Sequence, residues 1–365
     1  MSKIIILCPD HMFGGVYTAS SSLAQAFRES GMECDLVFIQ KAQGNRIKQW
    51  FQAVYSIARA EDASVNIICM HFYGMLFGLF LGFLGFKNRI NVFHTDIVDY
   101  YSRVGVIKKV LFRFFVFVFK NKPVVFVSKE SKIKAELFFN FRNSFVIYNL
   151  FNPCSISTVA SLENKATFGV VSRLDSMKNI DIAIFLIHLL RRHGYDVDLS
   201  VYGAGDQESE LKSYAHKLKV SDFVYFKGYC NEKDKIFNSF KYLLSFSSLE
   251  GFGIVILEAI SHSVPVFHSD CSSGPRELMA PHTNPLFKTS RYESTAVGFL
   301  VKQPMNEHSY KISADGELNL YYEAAVDFLS RARMNEFSMR FDWDRFSSKT
   351  ILENWVRVFE VAFSK

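Results

Sequence analysis

Twice along this chain a short apolar run breaks into a loop and gives way to a helical stretch, and that repeat admits few architectures. An apolar run over 3–8 passes through a loop over 9–15 into a helical stretch over 17–30, closed by Gly31, and a strand resumes over 34–40. Further strands are expected over 65–71, 90–94, 123–127 and 145–148, with helical stretches between them. The pattern then restarts: strand 167–172, loop 173–178, helix 180–192 ended by Gly194, and strand 197–202 running into Gly203-Ala-Gly205. A helix over 211–218 and strands over 223–226, 242–246 and 264–268 follow. Alternating strands and helices of these lengths predict parallel, doubly wound α/β sheets. At 365 residues the chain exceeds one ordinary core, so two domains are expected. The boundaries read as 1–160 and 161–345, with a polar linker over 155–166. A closing helix over 346–365 packs back on a domain, with a crossing to the first as one option. Two such domains in tandem put a ligand in the cleft between them, at the carboxyl ends of both sheets.

Charge is unevenly spread. Residues 1–160 hold 18 Lys and Arg against 10 Asp and Glu, whereas the remainder holds 24 against 26. A basic, aromatic-rich first domain suggests an anionic surface as partner. The apolar stretch over 72–86 has fifteen residues, four of them glycine, too few for the ~20 of a membrane span; it reads as a buried helix. Over 103–122, Arg103, Lys108, Lys109, Arg113, Lys120 and Lys122 surround Val110-Leu-Phe and Phe114-Phe-Val-Phe-Val-Phe. That segment fits either a basic helix docking on anionic lipid or a core helix with a solvated basic face. The six cysteines are scattered without a C-x-x-C pair, which suggests a reduced, cytoplasmic protein without structural zinc. No secretory leader is read at the start, and no nucleic-acid module accompanies the positive charge.

The strongest chemical signal is Glu250-Gly-Phe-Gly-Ile-Val-Ile-Leu-Glu258. A buried strand precedes it, Ser247 and Ser248 lead into the loop, and helical pattern begins at Ile254. The backbone N–H groups of Phe252, Gly253 and Ile254 are expected to face a ligand, as helix starts do. Glu250 in the loop and Glu258 a turn inside the helix can meet two parts of one long polar ligand, as a sugar nucleotide is. Two glutamates at this spacing are common by chance; a glutamate directly before Gly-Phe-Gly has little structural reason to be there.

With Gly14-Gly15 after the first strand, His94 after the fourth, Arg173 with Lys178-Asn179, Gly203-Ala-Gly205, Glu250 with Glu258, Ser273-Gly-Pro-Arg-Glu277 and Asp342-Trp343, the chain resembles the retaining family 4 glycosyltransferases of GT-B fold. The stretch Asp270-Cys-Ser-Ser-Gly-Pro-Arg-Glu277 is similar to bacterial members that build O-antigens, capsules and other polysaccharides on lipid carriers. The resemblance implies two Rossmann-like domains facing across a cleft, a first acceptor-side domain and a second nucleotide-sugar donor domain. It implies transfer of a sugar from a nucleotide sugar, with UDP the preferred base, to a lipid-linked (polyprenyl diphosphate) saccharide. It further implies a cytoplasmic enzyme, peripheral on the inner face of the plasma membrane.

Residue roles follow from the same resemblance. Arg173 and Lys178 would neutralise the departing diphosphate, the one as a bidentate fork and the other as a point charge. Gly14 and Gly15 would let a helix start approach that diphosphate. Glu250 would hold donor-sugar hydroxyls and Glu258 the ribose. Gly203, Gly251, Phe252, Gly253 and Ile254 would line the donor, Tyr229 and Asn231 its base. His94 would contact the donor sugar, and Asp96 is the acceptor-side candidate. No metal or cofactor is expected: Asp196-Val-Asp198 enters a buried strand and Asp342-Trp-Asp344 lies near the end of the chain. Two readings compete. One is a UDP-sugar 2-epimerase-like enzyme of the same fold; the other is a catalytically silent sugar-nucleotide-binding scaffold, which should have lost Arg173, Lys178, Glu250 and Glu258. An NAD-dependent oxidoreductase is disfavoured, because Gly203-Ala-Gly205-Asp206 lacks the third glycine of the dinucleotide fingerprint.

Overall fold

A computed structural model describes residues 3–10, 15–40, 54–55, 65–153, 166–304 and 317–363. Within it the chain divides into two compact units, 1–152 with 343–365, and 153–342. The divisions fall there rather than at 160 and 345. Most of the expected linker, like Gly14 and Cys154, lies outside the described residues.

The first unit is built on strands β1 (Ile4–Asp10), β2 (Cys34–Gln40), β3 (Asn66–Met70), β4 (Arg89–Phe93), β5 (Val124–Phe126) and β6 (Ser144–Val146). They stand in the order β2-β1-β3-β4-β5-β6, and each neighbouring pair is parallel. Strands covered on both faces read as continuous apolar runs, and Ile4 to Cys8 are accordingly all buried. The helices are α1 (Gly15–Glu29), α2 (His71–Phe83), α3 (Ile97–Arg103), α4 (Val106–Phe119) and α5 (Lys129–Phe139). The stretch expected as one buried helix over 72–86 is α2, and it is only half buried: Met75, Phe77 and Leu81 enter the core while Phe83 is 84% exposed. The basic segment over 103–122 is two helices, because Val104 is extended and Gly105 starts α4.

The chain's last helix, α12 (Ser348–Phe363), belongs to this unit. Trp355 is buried, and Phe359 lies 6.5 Å from Phe27 of α1 between ring centroids. Ahead of it, Trp343 stacks on Phe151 at 5.7 Å, and the Phe151 N–H donates to the Phe346 carbonyl at 3.0 Å.

The second unit holds β7 (Ala166–Val171), β8 (Val197–Tyr202), β9 (Val224–Gly228), β10 (Tyr242–Ser245), β11 (Val266–Ser269), β12 (Tyr292–Thr295) and β13 (Gly298–Val301). Their order is β12-β13-β11-β10-β7-β8-β9, with only the edge strand β12 antiparallel to its neighbour. The helices are α6 (Ile180–Arg192), α7 (Glu208–Lys217), α8 (Lys233–Phe237), α9 (Ile254–Ser261), α10 (Pro275–Met279) and α11 (Glu317–Arg333). Leu186, Ile187, Leu244, Phe246, Phe267, Phe299 and Phe328 form its core. Strand order reverses between β7 and β10. In open α/β sheets ligands bind outside the carboxyl ends of the strands at such a reversal. Here the loops at that place are those after Val171 and after Ser245.

Gly169 in β7 is set against Phe240, whose ring occupies the space a Cβ would need. Gly169→Ala should lower the unit's stability by about 1–3 kcal/mol through overpacking and its melting temperature by roughly 2–12 °C; calorimetry showing no change would contradict this packing.

Candidate functional site

The loop after β7 carries Arg173, Asp175 and Lys178. Asp175 accepts from the Met177 N–H at 3.2 Å and so starts a short 3-10 turn over Ser176–Lys178. Asn179 adopts a left-handed conformation, φ 44°, and its side-chain amide donates to the Phe246 carbonyl at 2.8 Å. The Ser248 N–H and hydroxyl both donate to the Met177 carbonyl, at 2.8 and 3.1 Å. The loops after β7 and β10 are thus laced together by backbone and amide bonds.

That lacing delivers Lys178 to Glu250. Lys178 Nζ lies 2.6 Å from Glu250 Oε1 and 3.4 Å from the Ser247 hydroxyl, and the two charged side chains are only 16% and 13% exposed. Burial opposes ionisation of Glu250, yet the Lys178 charge, with His268 and Ser247, outweighs it and holds the carboxyl below its usual range. Arg173 is the opposite case: its side chain is 72% exposed, tethered to Asp175 at 3.1 Å. Both cations are paired, Lys178 under cover and Arg173 in solvent.

Gly203 and Gly205 have a packing reason. A Cβ on Gly203 would strike the Ser172 carbonyl, and one on Gly205 the backbone of Leu174. This close approach lets the Ser172 N–H reach the Tyr202 carbonyl at 3.0 Å and the Leu174 N–H the Ala204 carbonyl at 3.1 Å. Gly203 therefore props the loop bearing Arg173.

Beyond Glu250, Gly251 is half-buried, Phe252 is buried and Gly253, φ 88°, heads α9, with Ile254 as its first residue. The Glu250 N–H donates to the Ser272 carbonyl at 3.3 Å. Gly274, φ 112°, comes so close to the Phe252 carbonyl that no side chain fits there. Arg276, 1% exposed, anchors this turn: its Nε lies 3.1 Å from Asp270 Oδ2, and its other nitrogens donate to Glu293 at 2.9 Å and Thr283 at 3.1 Å. The sequence motif around Arg276 is thus a strut beneath the Glu250 loop.

Glu258 lies a turn into α9, its side chain 13% exposed and 2.8 Å from Lys233 Nζ. Burial raises its pKa, and Lys233 offsets this only in part. Lys233 lies just beyond Tyr229 and Asn231, which are both exposed, so the pair ties that segment to α9. Sequence reasoning passed over Lys233; an isolated lysine in a charged run carries no signal.

In the first unit His94 follows β4. It is 8% exposed, with Nε2 3.2 Å from Met70 Sδ. Burial, reinforced by His71, pushes its pKa down to about 3, so the ring is neutral at working pH. His71 follows β3 with φ 60°, a conformation a histidine adopts at some cost. It went unremarked in the sequence although it ends an apolar run as His94 does. Asp96 is fully buried. Its Oδ1 caps α3 by accepting from Val98 and Asp99 N–H at 2.9 and 3.0 Å, while Oδ2 meets Lys134 Nζ at 3.0 Å. Both oxygens are engaged within the unit, which gives the acceptor-side candidate a capping role. Gly15 is exposed at the first position of α1. Among the described residues no group of three or more His, Cys, Asp or Glu could hold a metal ion.

Two parallel-dominated sheets with these helices make the fold GT-B, that of a large class of glycosyltransferases. It aligns with Anabaena HepE in complex with UDP and glucose at TM-score 0.71 and 16% identity, over 99% of this chain and 100% of that one. It aligns with the lipopolysaccharide outer core galactosyltransferase WaaB at TM-score 0.63 and 18% identity, over 99% of both chains. Residues 156–310 match the family glycosyl transferases group 1. Poly(ribitol-phosphate) alpha-N-acetylglucosaminyltransferase of Staphylococcus aureus is 24% identical over 253 residues, 66% of this chain and 47% of that protein. Lipopolysaccharide 1,6-galactosyltransferase of Salmonella typhimurium is 29% identical over 171 residues, 44% of this chain and 47% of that protein. The chain thus spans about half the length of these two curated relatives.

The Glu250–Lys178 pair has a pH signature. A carboxyl whose folded pKa lies below its unfolded value stabilises above the unfolded pKa, and that contribution fades as pH falls through the folded one. Glu250→Gln should cost about 1–3 kcal/mol at pH 7, and the gap to wild type should close on acidification below the usual carboxylate range. A pH-independent gap in denaturant titrations would contradict the pairing.

Proposed function

We propose that the chain is a retaining glycosyltransferase. It moves a sugar from a UDP-sugar to a lipid-linked saccharide in bacterial surface polysaccharide synthesis, of the lipopolysaccharide (O-antigen) or capsule kind. It works without a metal, peripherally on the cytoplasmic face of the membrane. The observation that carries this reading is the Lys178–Glu250 pair at the strand-order reversal of the second sheet, with the exposed Arg173 on the same loop as Lys178. Relatives named for N-acetylglucosaminyl and galactosyl transfer, and a UDP-bound structural neighbour, support a UDP-sugar donor. The lipopolysaccharide and poly(ribitol-phosphate) relatives support a bacterial envelope glycan as acceptor.

The chemistry follows from the charges. As the anomeric carbon–oxygen bond breaks, negative charge builds on the leaving diphosphate. Lys178, released from Glu250, and Arg173 neutralise it, a service that a divalent cation performs in other transferases. Glu250, freed in the same exchange, accepts hydrogen bonds from donor-sugar hydroxyls and orients the anomeric carbon. Glu258 accepts from the ribose. The acceptor oxygen attacks on the face the diphosphate leaves, its proton passing to a departing phosphate oxygen, so configuration is retained and no protein base is needed.

Arg173→Ala and Lys178→Ala should each lower kcat at least tenfold, since each removes a charge-assisted bond worth about 1.5–3 kcal/mol. EDTA should leave turnover intact, and NMR of the product should show the donor's anomeric configuration. Wild-type rates in both variants, or activity lost to EDTA and restored by magnesium, would overturn the mechanism.

A further inference from the structure

Helix α4 is apolar on both faces. Phe112, Phe115, Val116 and Phe119 enter the core, while Val106, Ile107, Val110, Leu111, Phe114 and Phe117 are 64–79% exposed. At 100° per residue, these six fall on one stripe opposite the buried one. A monomeric surface rarely leaves so large a contiguous apolar area in water. The helix has no acidic residue. Lys109 and Arg113, with Lys120 at its C-cap, run along one flank of the stripe, and Lys108 lies on the other. Lys109 Nζ and Arg113 Cζ lie 5.5 and 5.6 Å from the Tyr101 ring centroid, and Lys120 Nζ lies 5.1 Å from that of Phe117. Tyr101 in turn meets Phe138 of α5 at 5.8 Å, and Phe138 and Leu137 are themselves 55% and 78% exposed. A row of cations is thus set between two exposed apolar ridges.

We infer that this face, α4 with the end of α5, is a membrane-docking surface for lipid carrying anionic headgroups. The apolar ridges enter the acyl boundary, and Lys109, Arg113 and Lys120 reach the headgroup phosphates along their apolar stems. A second copy of this face would bring its cations against their own kind, which the interleaving disfavours. Within the first unit, α3 and α4 follow directly from the loop bearing His94 and Asp96. Docking by α4 therefore anchors the chain beside that loop. This rests on the proposed lipid-linked acceptor but is tested apart from it.

The experiment is flotation of the full chain with vesicles of phosphatidylcholine alone or mixed equally with phosphatidylglycerol, at low and high salt. Phe114→Ser/Phe117→Ser and Lys109→Gln/Arg113→Gln variants run alongside. Wild type should float with the anionic vesicles at least ~10-fold better than with the neutral ones, and salt should weaken this. Both double variants should lose at least ~10-fold, two cations at about fivefold each giving that scale. UDP binding by NMR reports folding and donor recognition separately, so its loss in wild type counts against the transferase and not against docking. Equal binding to both vesicles, unchanged variants, or a wild-type dimer that Phe114→Ser/Phe117→Ser converts to monomer would overturn the assignment.

Discussion

A lysine and a glutamate held at 2.6 Å with little solvent on either are the charge arrangement on which the site depends. Taking each from water alone would cost several kcal/mol, and pairing in a partly screened setting offsets most of that. The pair is satisfied as it stands. On the proposed reading, a diphosphate would draw Lys178 from Glu250 and sugar hydroxyls would take its place at the carboxylate, so neither residue would be left uncompensated. Asn179 and Ser248 hold the two loops in register, fixing 177–179 against 246–248 through groups outside the pair.

Around that pair the second unit invests buried polar chemistry in position. Asp270 and Arg276 form a buried ion pair that Glu293, 30% exposed, joins from its rim, and breaking one partner of a buried pair is costly. It braces the turn at Gly274 under Phe252, so Glu250 and the start of α9 are set by a strut and not by loop propensity. Gly203 and Gly205 serve the other side, allowing the strand β8 to cross the Arg173 loop at backbone distance. Arg173 itself stays exposed, tied to Asp175 within its own loop.

Much of this was legible in the sequence, for identifiable reasons. Parallel strands buried on both faces are continuous apolar runs, so β1, β7, β8 and β10 could be read within a residue or two. Glu250 could be singled out because local propensity does not explain a carboxylate directly before Gly-Phe-Gly, and Glu258 by its spacing from it; that each meets a lysine could not. The pairing of Lys178 with Glu250 could not be read, since 72 positions separate them and only the sheet order brings them together. That Gly203 packs against the Ser172 carbonyl could not be read, since close approach to a backbone and close approach to a phosphate both demand glycine. That Asp96 is engaged by Lys134 could not be read either, since 38 positions separate them. The helix over 106–119 defeated periodicity, since an apolar residue on the exposed stripe looks the same as one in the core.

The account turns on whether the site in the second unit takes a nucleoside diphosphate through Lys178. The direct measurement is ligand-observed NMR of the protein with UDP, GDP, ADP and NAD, repeated on Lys178→Ala. Binding of UDP in preference to the others, abolished in the variant, is the predicted result. Absence of binding by every nucleoside diphosphate, binding of NAD alone, or UDP binding unchanged in Lys178→Ala would contradict it.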